Sequence, residues 1–451
     1  MELKRINTVK NPFLLFLPFF IFYIVLILIL ANPSLYGDEG RYLKYARNLT
    51  HGFYSSPEPF LDLGNSPGYS LIMVPFVALK LPLISIKLLN ALFYYLSVVF
   101  LFKALRRVVS YKFSIIFSIL WALYPNNFKV ITHALPEVFS CSLIPLLIFF
   151  ITFGLDNEKS KNSNFYVIAA GVTFGYLALT KPIFGYVIFT MIIGTIVMLV
   201  FNKKSTNYKK SLIVVLIAFL TTLPWLGYTY HMTGKLFYWG TSGGNNLYWM
   251  SSPFKNEFGD WKNQSFDSST EIKKGFIPGS SKIMQLQHGK DFQSILENPE
   301  AKKLYSKNGE IYGSPYTGVI QDDVLKRIAI ENIKSHPLKF LQNCISNVGR
   351  MIFNYPASYT IQKPSTLKRM PVNGTLIVFS AFCFIMTLLY WKKIIFPIRF
   401  LLFFGFIYFG GSILGSAEPR MFTPVVPILL IWIAYILQNT VTIKAKFADE
   451  N

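Results

Sequence analysis

The stretch Tyr36-Gly37-Asp38-Glu39-Gly40-Arg41-Tyr42 follows the first long apolar run of the chain, and it sets two carboxylates side by side where a membrane span should reach water. The next residues, 43–49, place their apolar side chains on one helical face, so this segment is predicted to lie along the membrane surface. Two interpretations of Asp38 stay open. It either caps this helix by accepting backbone N–H bonds, or it is a base held where a lipid-borne substrate could reach it.

The composition predicts that most of the chain lies in a membrane. The 451 residues are 52% hydrophobic and 17% aromatic, which is more apolar than an ordinary soluble domain. The net charge of +22 could indicate nucleic-acid binding, but Lys and Arg cluster in short segments between apolar runs, as in cytoplasmic loops of membrane proteins. No nucleic-acid partner is therefore predicted. The three cysteines show neither a disulfide framework nor a metal-binding spacing.

The basic clusters also predict the topology. Residues 11–31 follow a basic segment and form the first span, so the N-terminus is predicted to be cytoplasmic. Residues 32–82 then form an external loop. The short apolar run 69–79 inside it is predicted not to cross, because only this assignment leaves every later basic cluster on the cytoplasmic side.

About ten spans are predicted in total, with both termini cytoplasmic. They are predicted at residues 11–31, 84–102, 113–124, 138–153, 165–180, 183–201, 211–228, 373–391, 400–414 and 421–438. Residues 230–372, called the polar domain below, contain no span, are long enough to fold separately, and are predicted to be external. Within them, residues 322–341 show the pattern of one helix.

The predicted architecture is therefore an all-α polytopic membrane protein with juxtamembrane helices in the first external loop and a smaller, mixed external domain. Its parts are residues 1–229, 230–372 and 373–451. The predicted location is a cell membrane, the inner or plasma membrane.

Charged side chains gather in the short loops that are predicted to be external. Each has an ordinary explanation, because cations at a membrane boundary reach for lipid phosphates and carboxylates cap helices. Carboxylates and cations from four separate loops on one membrane face nevertheless indicate a site. The residues are Asp38, Glu39, His133, Glu137, Lys181, Glu418 and Arg420.

Four of these stretches resemble the motifs of GT-C glycosyltransferases, polytopic enzymes that take a sugar from a polyprenyl-linked donor. Gly37-Asp38-Glu39-Gly40-Arg41-Tyr42 resembles the acidic motif of the first loop, and Asn65-Ser66-Pro67-Gly68-Tyr69 resembles the segment after it. Leu179-Thr180-Lys181-Pro182 resembles the threonine–lysine turn, and Glu418-Pro419-Arg420-Met421-Phe422 resembles the late Glu-Pro-Arg motif. The chain is most similar to the branch of protein O-mannosyltransferases and lipid A aminoarabinose transferases. It departs from this pattern at Glu137, where many members have aspartate, and at the single Pro67.

The resemblance implies a glycosyltransferase that moves a sugar from a polyprenyl-phosphate donor to a hydroxyl of a lipid, glycan or protein at the external face. It implies that Asp38 is the base, that Glu39 supports its loop, and that Lys181 and Arg420 hold the donor phosphate. His133, Glu137, Arg41 and Glu418 are the expected supporting residues. No cofactor follows from the motifs. A divalent cation between Asp38 and Glu137 stays open, since no spacing requires one.

Two other function classes stay open. A transporter or flippase of lipids or polysaccharides should show an internal repeat and helices broken at mid-membrane. Neither is evident, and the predicted spans are almost free of charge in their interiors, which counts against ion coupling. A polymerase or ligase of lipid-linked glycans would use similar loops.

Overall fold

The computed structural model describes residues 11–156, 162–262, 277, 279–307, 310–311, 318–361 and 364–440. Within these residues, eight helices are long and apolar enough to cross a membrane. They are Leu83–Val108, Pro136–Gly154, Ser163–Thr180, Ile183–Phe201, Thr206–Thr233, Thr366–Leu389, Phe396–Leu414 and Pro419–Thr440. The predicted all-α, multi-pass membrane fold is confirmed.

The other two predicted spans correspond to shorter helices. The first is split at Phe16 into Pro12–Leu15 and Leu17–Leu30. The second is Tyr111–Ala122, whose 12 residues cover only about 18 Å of a hydrocarbon layer about 30 Å thick. A short helix, Pro125–Val130, follows it.

The first loop contains the two juxtamembrane helices that were expected there. Glu39–Thr50 buries its apolar face against the 11-residue helix Gly68–Ala78. Gly68–Ala78 is about 16 Å long, about half the thickness of the hydrocarbon layer.

The polar domain is also mainly helical, with its own small core around Tyr248, Trp249 and Phe292. Its helices are Gly243–Met250, Ser280–Glu297, Pro299–Tyr305, Val319–Ser335 and Pro337–Phe353, and Ser306–Lys307 pairs antiparallel with Glu310–Ile311. Two boundaries differ from the sequence prediction. The prediction of a single helix at 322–341 is wrong, because one helix ends at Ser335 and the next begins at Pro337. Pro337 lacks a backbone N–H and disfavours a helical conformation at His336, which lies at φ −134° and ψ 57°. The next helix, Pro364–Leu389, begins before residue 373.

Pro136–Gly154 is the central helix of the membrane part. It packs against Leu83–Val108 and Ser163–Thr180, and most of its residues are buried. Proline occupies its first turn, where a missing N–H costs nothing, so the helix can begin abruptly with Pro136-Glu137. This start brings Glu137 to the end of the helix bundle, beside the ends of two other spans.

Candidate active site

Glu137 is the centre of the charged cluster. The residue is 4% exposed, and its Oε1 lies 3.1 Å from Lys181 Nζ and 3.5 Å from Arg420 Nη1. Its other oxygen, Oε2, is buried and has no hydrogen-bond partner among the described residues. One carboxylate therefore gathers two cations from separate helix ends, while half of its acceptor capacity is unused.

Lys181 is placed by a tight turn between two spans. Ser163–Thr180 ends there because Lys181 precedes Pro182, which disfavours a helical conformation, and its backbone is extended at φ −138° and ψ 117°. The turn is supported by Gly68, whose carbonyl accepts a 2.9 Å bond from Tyr176 Oη. A Cβ at Gly68 would lie 2.7 Å from the backbone of Leu179. Two motifs that are far apart in sequence thus meet directly.

Arg420 lies in the short helix Pro419–Phe422, two residues after its N-cap Glu418. Its Nε is 3.1 Å from Glu418 Oε2, and its side chain is 34% exposed. The Lys181 side chain is 12% exposed. Both cations are held in place and yet are accessible to a ligand that approaches the cluster.

Asp38 occupies the N-cap position of Glu39–Thr50, but its side chain accepts no capping hydrogen bond. It is half-buried, and it interacts electrostatically with Arg41 and with Arg420. The capping interpretation therefore has no support in the structure.

Glu39 has a different environment. It is fully buried, its Oε2 accepts a 2.8 Å bond from Tyr36 N, and its Oε1 accepts a 2.7 Å bond from Ala134 N. Lys87 Nζ lies 3.4 Å from the same Oε1 and His133 Nδ1 lies 3.5 Å from it. Burial raises the pKa of Glu39, but these bonds and charges outweigh it and lower the pKa to about 2. A group of such low pKa is a poor base, so its place in the structure fits a supporting role.

The remaining expected residues support the first loop. His133 stacks on Tyr36, with ring centroids 4.8 Å apart, and lies beside Glu39. Arg41 Nη1 lies 3.5 Å from Asn65 Oδ1, which links the first two motifs. Burial lowers the pKa of Arg41, but neighbouring Tyr45, Asp62 and Asp38 raise it overall.

The sequence did not single out Lys87, Tyr42 or Tyr69. Lys87 is 1% exposed and donates a 2.8 Å bond to Asn32 O, and a lone lysine within an apolar run was the signal that could have found it. Tyr42 and Tyr69 are buried, with ring centroids 5.6 Å apart, and Tyr69 Oη has no hydrogen-bond partner in the described ranges. Tyr42 interacts electrostatically with Glu137, Asp38 and Arg420. It lies four residues after Asp38, which places both on one helical face.

The described residues contain no group of three or more His, Cys, Asp and Glu side chains that could hold a metal ion. Glu137 already faces Lys181 and Arg420, and these two cations would compete with a metal for its carboxylate. The charge pattern of the cluster instead suits an anion that binds the two cations.

Comparison with known proteins finds a family whose model matches part of the chain. Residues 65–228 match the family of dolichyl-phosphate-mannose-protein mannosyltransferases. The resemblance to GT-C glycosyltransferases is confirmed. The matched segment is less than half of the chain, and it contains the Asn65 motif, Glu137 and Lys181. The match agrees with the membrane glycosyltransferase using a lipid-linked donor that the sequence predicted. No curated protein sequence matches the chain.

Several solved structures are similar. ArnT from Cupriavidus metallidurans bound to undecaprenyl phosphate is 14% identical, with a TM-score of 0.42, over 93% of this chain and 77% of that one. The apo oligosaccharyltransferase of Archaeoglobus fulgidus is 12% identical, with a TM-score of 0.49, over 93% and 50%. AglB from the same organism, in complex with an inhibitory peptide and a dolichol-phosphate, is 13% identical, with a TM-score of 0.48, over 96% and 53%. The chain therefore spans about half the length of the archaeal enzymes.

Proposed function

We propose that this protein transfers a sugar from a polyprenyl-phosphate donor to a hydroxyl of an acceptor at the external face of a cell membrane. The observation that carries the proposal is the geometry at Glu137, where one carboxylate oxygen holds Lys181 and Arg420 together at the ends of separate spans. The family match of residues 65–228 supports the same reaction class.

Lys181 and Arg420 are suited to hold the donor phosphate. A guanidinium can bind two phosphate oxygens at once, and an ammonium adds a compact point charge. Glu137 brings the two cations close together despite their mutual repulsion. Both cations keep some exposure to solvent, so a phosphate can reach them. The lipid tail would lie against the apolar spans.

Asp38 is suited to be the base. In the proposed step, the acceptor oxygen attacks the anomeric carbon, the bond from that carbon to the phosphate oxygen breaks, and its electron pair leaves with the phosphate. The hydroxyl proton passes to the Asp38 carboxylate. A single displacement of this kind inverts the anomeric centre. Lys181 and Arg420 stabilise the charge on the departing phosphate, which is the electrostatic part of catalysis.

The other charged residues position these groups. Glu39, with Lys87 and His133, fixes the start of the helix that carries Asp38. Arg41 ties that helix to Asn65, and Glu418 orients Arg420. The polar domain, residues 230–372, would face outside and shape the acceptor site. Both termini would be cytoplasmic, because this orientation places the basic clusters inside.

The direct test is to incubate the purified full-length protein with a panel of polyprenyl-phosphate sugars and a mixture of hydroxyl acceptors. Release of polyprenyl phosphate, dependent on one sugar and lost in Lys181→Ala, is the expected result. A flippase would move the same lipids across a proteoliposome membrane without cleaving them. Movement of intact lipid without release of polyprenyl phosphate would therefore overturn the proposed function.

A further inference from the structure

The segment that leads into Arg420 is held by the polar domain. Asn347, in the helix Pro337–Phe353, is fully buried. Its Nδ2 donates to the carbonyls of Ser412, Ile413 and Gly415 at 3.2, 3.0 and 2.6 Å, and its Oδ1 accepts a 3.0 Å bond from Ala417 N. One amide side chain therefore binds the end of the span Phe396–Leu414 and the turn after it, where helix carbonyls have no partner of their own.

Arg350 continues this contact from the next turn of the same helix. It is 3% exposed, and its Nε donates a 2.9 Å bond to Ala417 O. Its Nη2 donates to Asn347 Oδ1, and its Nη1 donates to Phe258 O at 2.9 Å and to Pro356 O at 3.3 Å. Arg350 thereby ties the turn before Arg420 to two other segments of the polar domain.

A third contact comes from the segment around Trp261, whose backbone N donates a 2.6 Å bond to Ser416 Oγ. We call Asn347, Arg350 and the Trp261 N–H, with the residues 412–417 that they bind, the loop clamp. Only Glu418 and Pro419 separate its last bound residue, Ala417, from Arg420. Glu418 is also attracted to Arg350 and lies 3.1 Å from Arg420 Nε.

Buried polar groups that are fully bonded hold one arrangement firmly, because any other arrangement leaves some of them without a partner. The bonds of Asn347 and Arg350 named above end on backbone atoms and on each other, and none of them ends on Glu137, Lys181 or Arg420. Whatever these two residues do for the reaction, they do through the position of the loop.

We infer that Asn347 and Arg350 are positioning residues for Arg420, so that the polar domain sets the geometry of the donor-phosphate site. This inference rests on the proposed function. It gives the polar domain a role in donor binding in addition to the acceptor role expected from its position. If the loop clamp is broken, Arg420 should be displaced from the point where the phosphate meets Lys181.

The test compares two asparagines one turn apart on the same helix. Asn343 is also fully buried, and its Nδ2 donates to Met250 O at 3.0 Å and Ser252 O at 2.9 Å, both within the polar domain. Asn343→Ala therefore removes a comparable amide outside the loop clamp. Binding of polyprenyl phosphate to the detergent-solubilised full chain should weaken on the order of tenfold or more in Asn347→Ala, since small displacements of a binding group are costly. It should stay near wild type in Asn343→Ala. The acceptor KM should change little in either variant.

Ser416→Ala is the milder second variant, because it removes only the side-chain acceptor of the Trp261 N–H and leaves Asn347 and Arg350 unchanged. It should weaken polyprenyl phosphate binding by roughly threefold, as expected for one hydrogen bond. It decides the question if Asn347→Ala does not fold. Wild-type binding in Ser416→Ala and in folded Asn347→Ala, with weakened binding in Arg420→Ala, would overturn the loop clamp alone. Wild-type binding in Arg420→Ala as well would instead refute the proposed function.

Discussion

Two buried carboxylates in this protein, Glu39 and Glu137, each face a lysine and a second basic side chain, yet their surroundings differ. Glu39 faces Lys87 and His133, and both of its oxygens accept backbone N–H bonds. Glu137 faces Lys181 and Arg420 through one oxygen, and its other oxygen has no partner among the described residues.

The cations differ in the same way. The Lys87 side chain is 1% exposed and is bonded to Asn32 O, whereas the Arg420 side chain is 34% exposed. The Glu39 cluster is thus closed within the protein, whereas the cations of the Glu137 cluster remain partly exposed to a ligand. The comparison separates a structural ion pair from a proposed binding site.

The largest expected effect is that of Asp38→Asn. Asp38 precedes Glu39 of one cluster and interacts electrostatically with Arg420 of the other. Asn keeps the size of the side chain but cannot take a proton, so turnover should fall by roughly 10²–10⁴. Folding should be unchanged, since Asp38 makes no capping bond and Asn is an equally good N-cap. Binding of polyprenyl phosphate should also be unchanged. Near-native sugar transfer by a folded Asp38→Asn protein would refute its role as the base.

The comparison itself is tested by neutralising each carboxylate in turn. Glu39→Gln leaves the buried Lys87 without its charge partner and should lower the free energy of unfolding by about 3–5 kcal/mol. Glu137→Gln should cost about 1 kcal/mol, because Lys181 and Arg420 retain some exposure to solvent. Thermal unfolding of both variants in detergent measures the difference. Equal losses of stability would mean that both clusters serve mainly to stabilise the fold.

The pH dependence of stability should carry the signature of Glu39. Its pKa falls from an ordinary 4.5 to about 2 in the folded protein. The stabilisation is therefore fully present above about pH 4.5 and is lost as the pH falls from there towards 2. This difference corresponds to about 3 kcal/mol. Thermal melts across this range should show the decline in wild type and a smaller one in Glu39→Gln. Parallel declines in the two proteins would contradict the assignment.

A smaller effect is expected from Gly68→Ala. The new Cβ would lie 2.7 Å from the backbone of Leu179 and 2.8 Å from Thr180 Oγ1, so the helix Gly68–Ala78 must shift away from the Lys181 turn. We expect a loss of stability of about 1–3 kcal/mol, with weaker donor binding. Gly227→Ala is the matched control, since a Cβ there meets nothing within 4 Å. A Gly68→Ala protein as stable as this control would show that the two motifs do not depend on their close contact.

The sequence predicted much of this arrangement. Apolar runs and basic clusters located the spans, the motifs pointed to Lys181 and Arg420, and the charged loops pointed to Glu137. These residues could be found because each lies at or beside the end of a span, where the sequence changes from apolar to polar.

The sequence did not predict contacts made by ordinary residues over long separations. Asn347 and Gly415 are 68 residues apart, and nothing in the local pattern distinguishes Asn347 from Asn343. The different environments of Asp38 and Glu39 were hidden for the same reason, since they depend on which side chain turns inward to Ala134 and Lys87. Pro337 was a visible signal of a helix break, but the helical spacing of the apolar residues around it led to the prediction of one continuous helix.

The most direct test of the central claim is the affinity for polyprenyl phosphate of wild type, Arg420→Ala and Arg399→Ala. Arg399 is a suitable control, because its guanidinium bonds to Ile394 O and Lys392 O at the other end of the spans, away from the Glu137 cluster. Loss of a charge-assisted contact in Arg420→Ala should cost about 1.5–3 kcal/mol, or roughly 10- to 150-fold in affinity. Arg399→Ala should bind like wild type, and neutral polyprenol should not distinguish the three proteins. Equal affinity of wild type and folded Arg420→Ala for polyprenyl phosphate would contradict the phosphate site at Glu137.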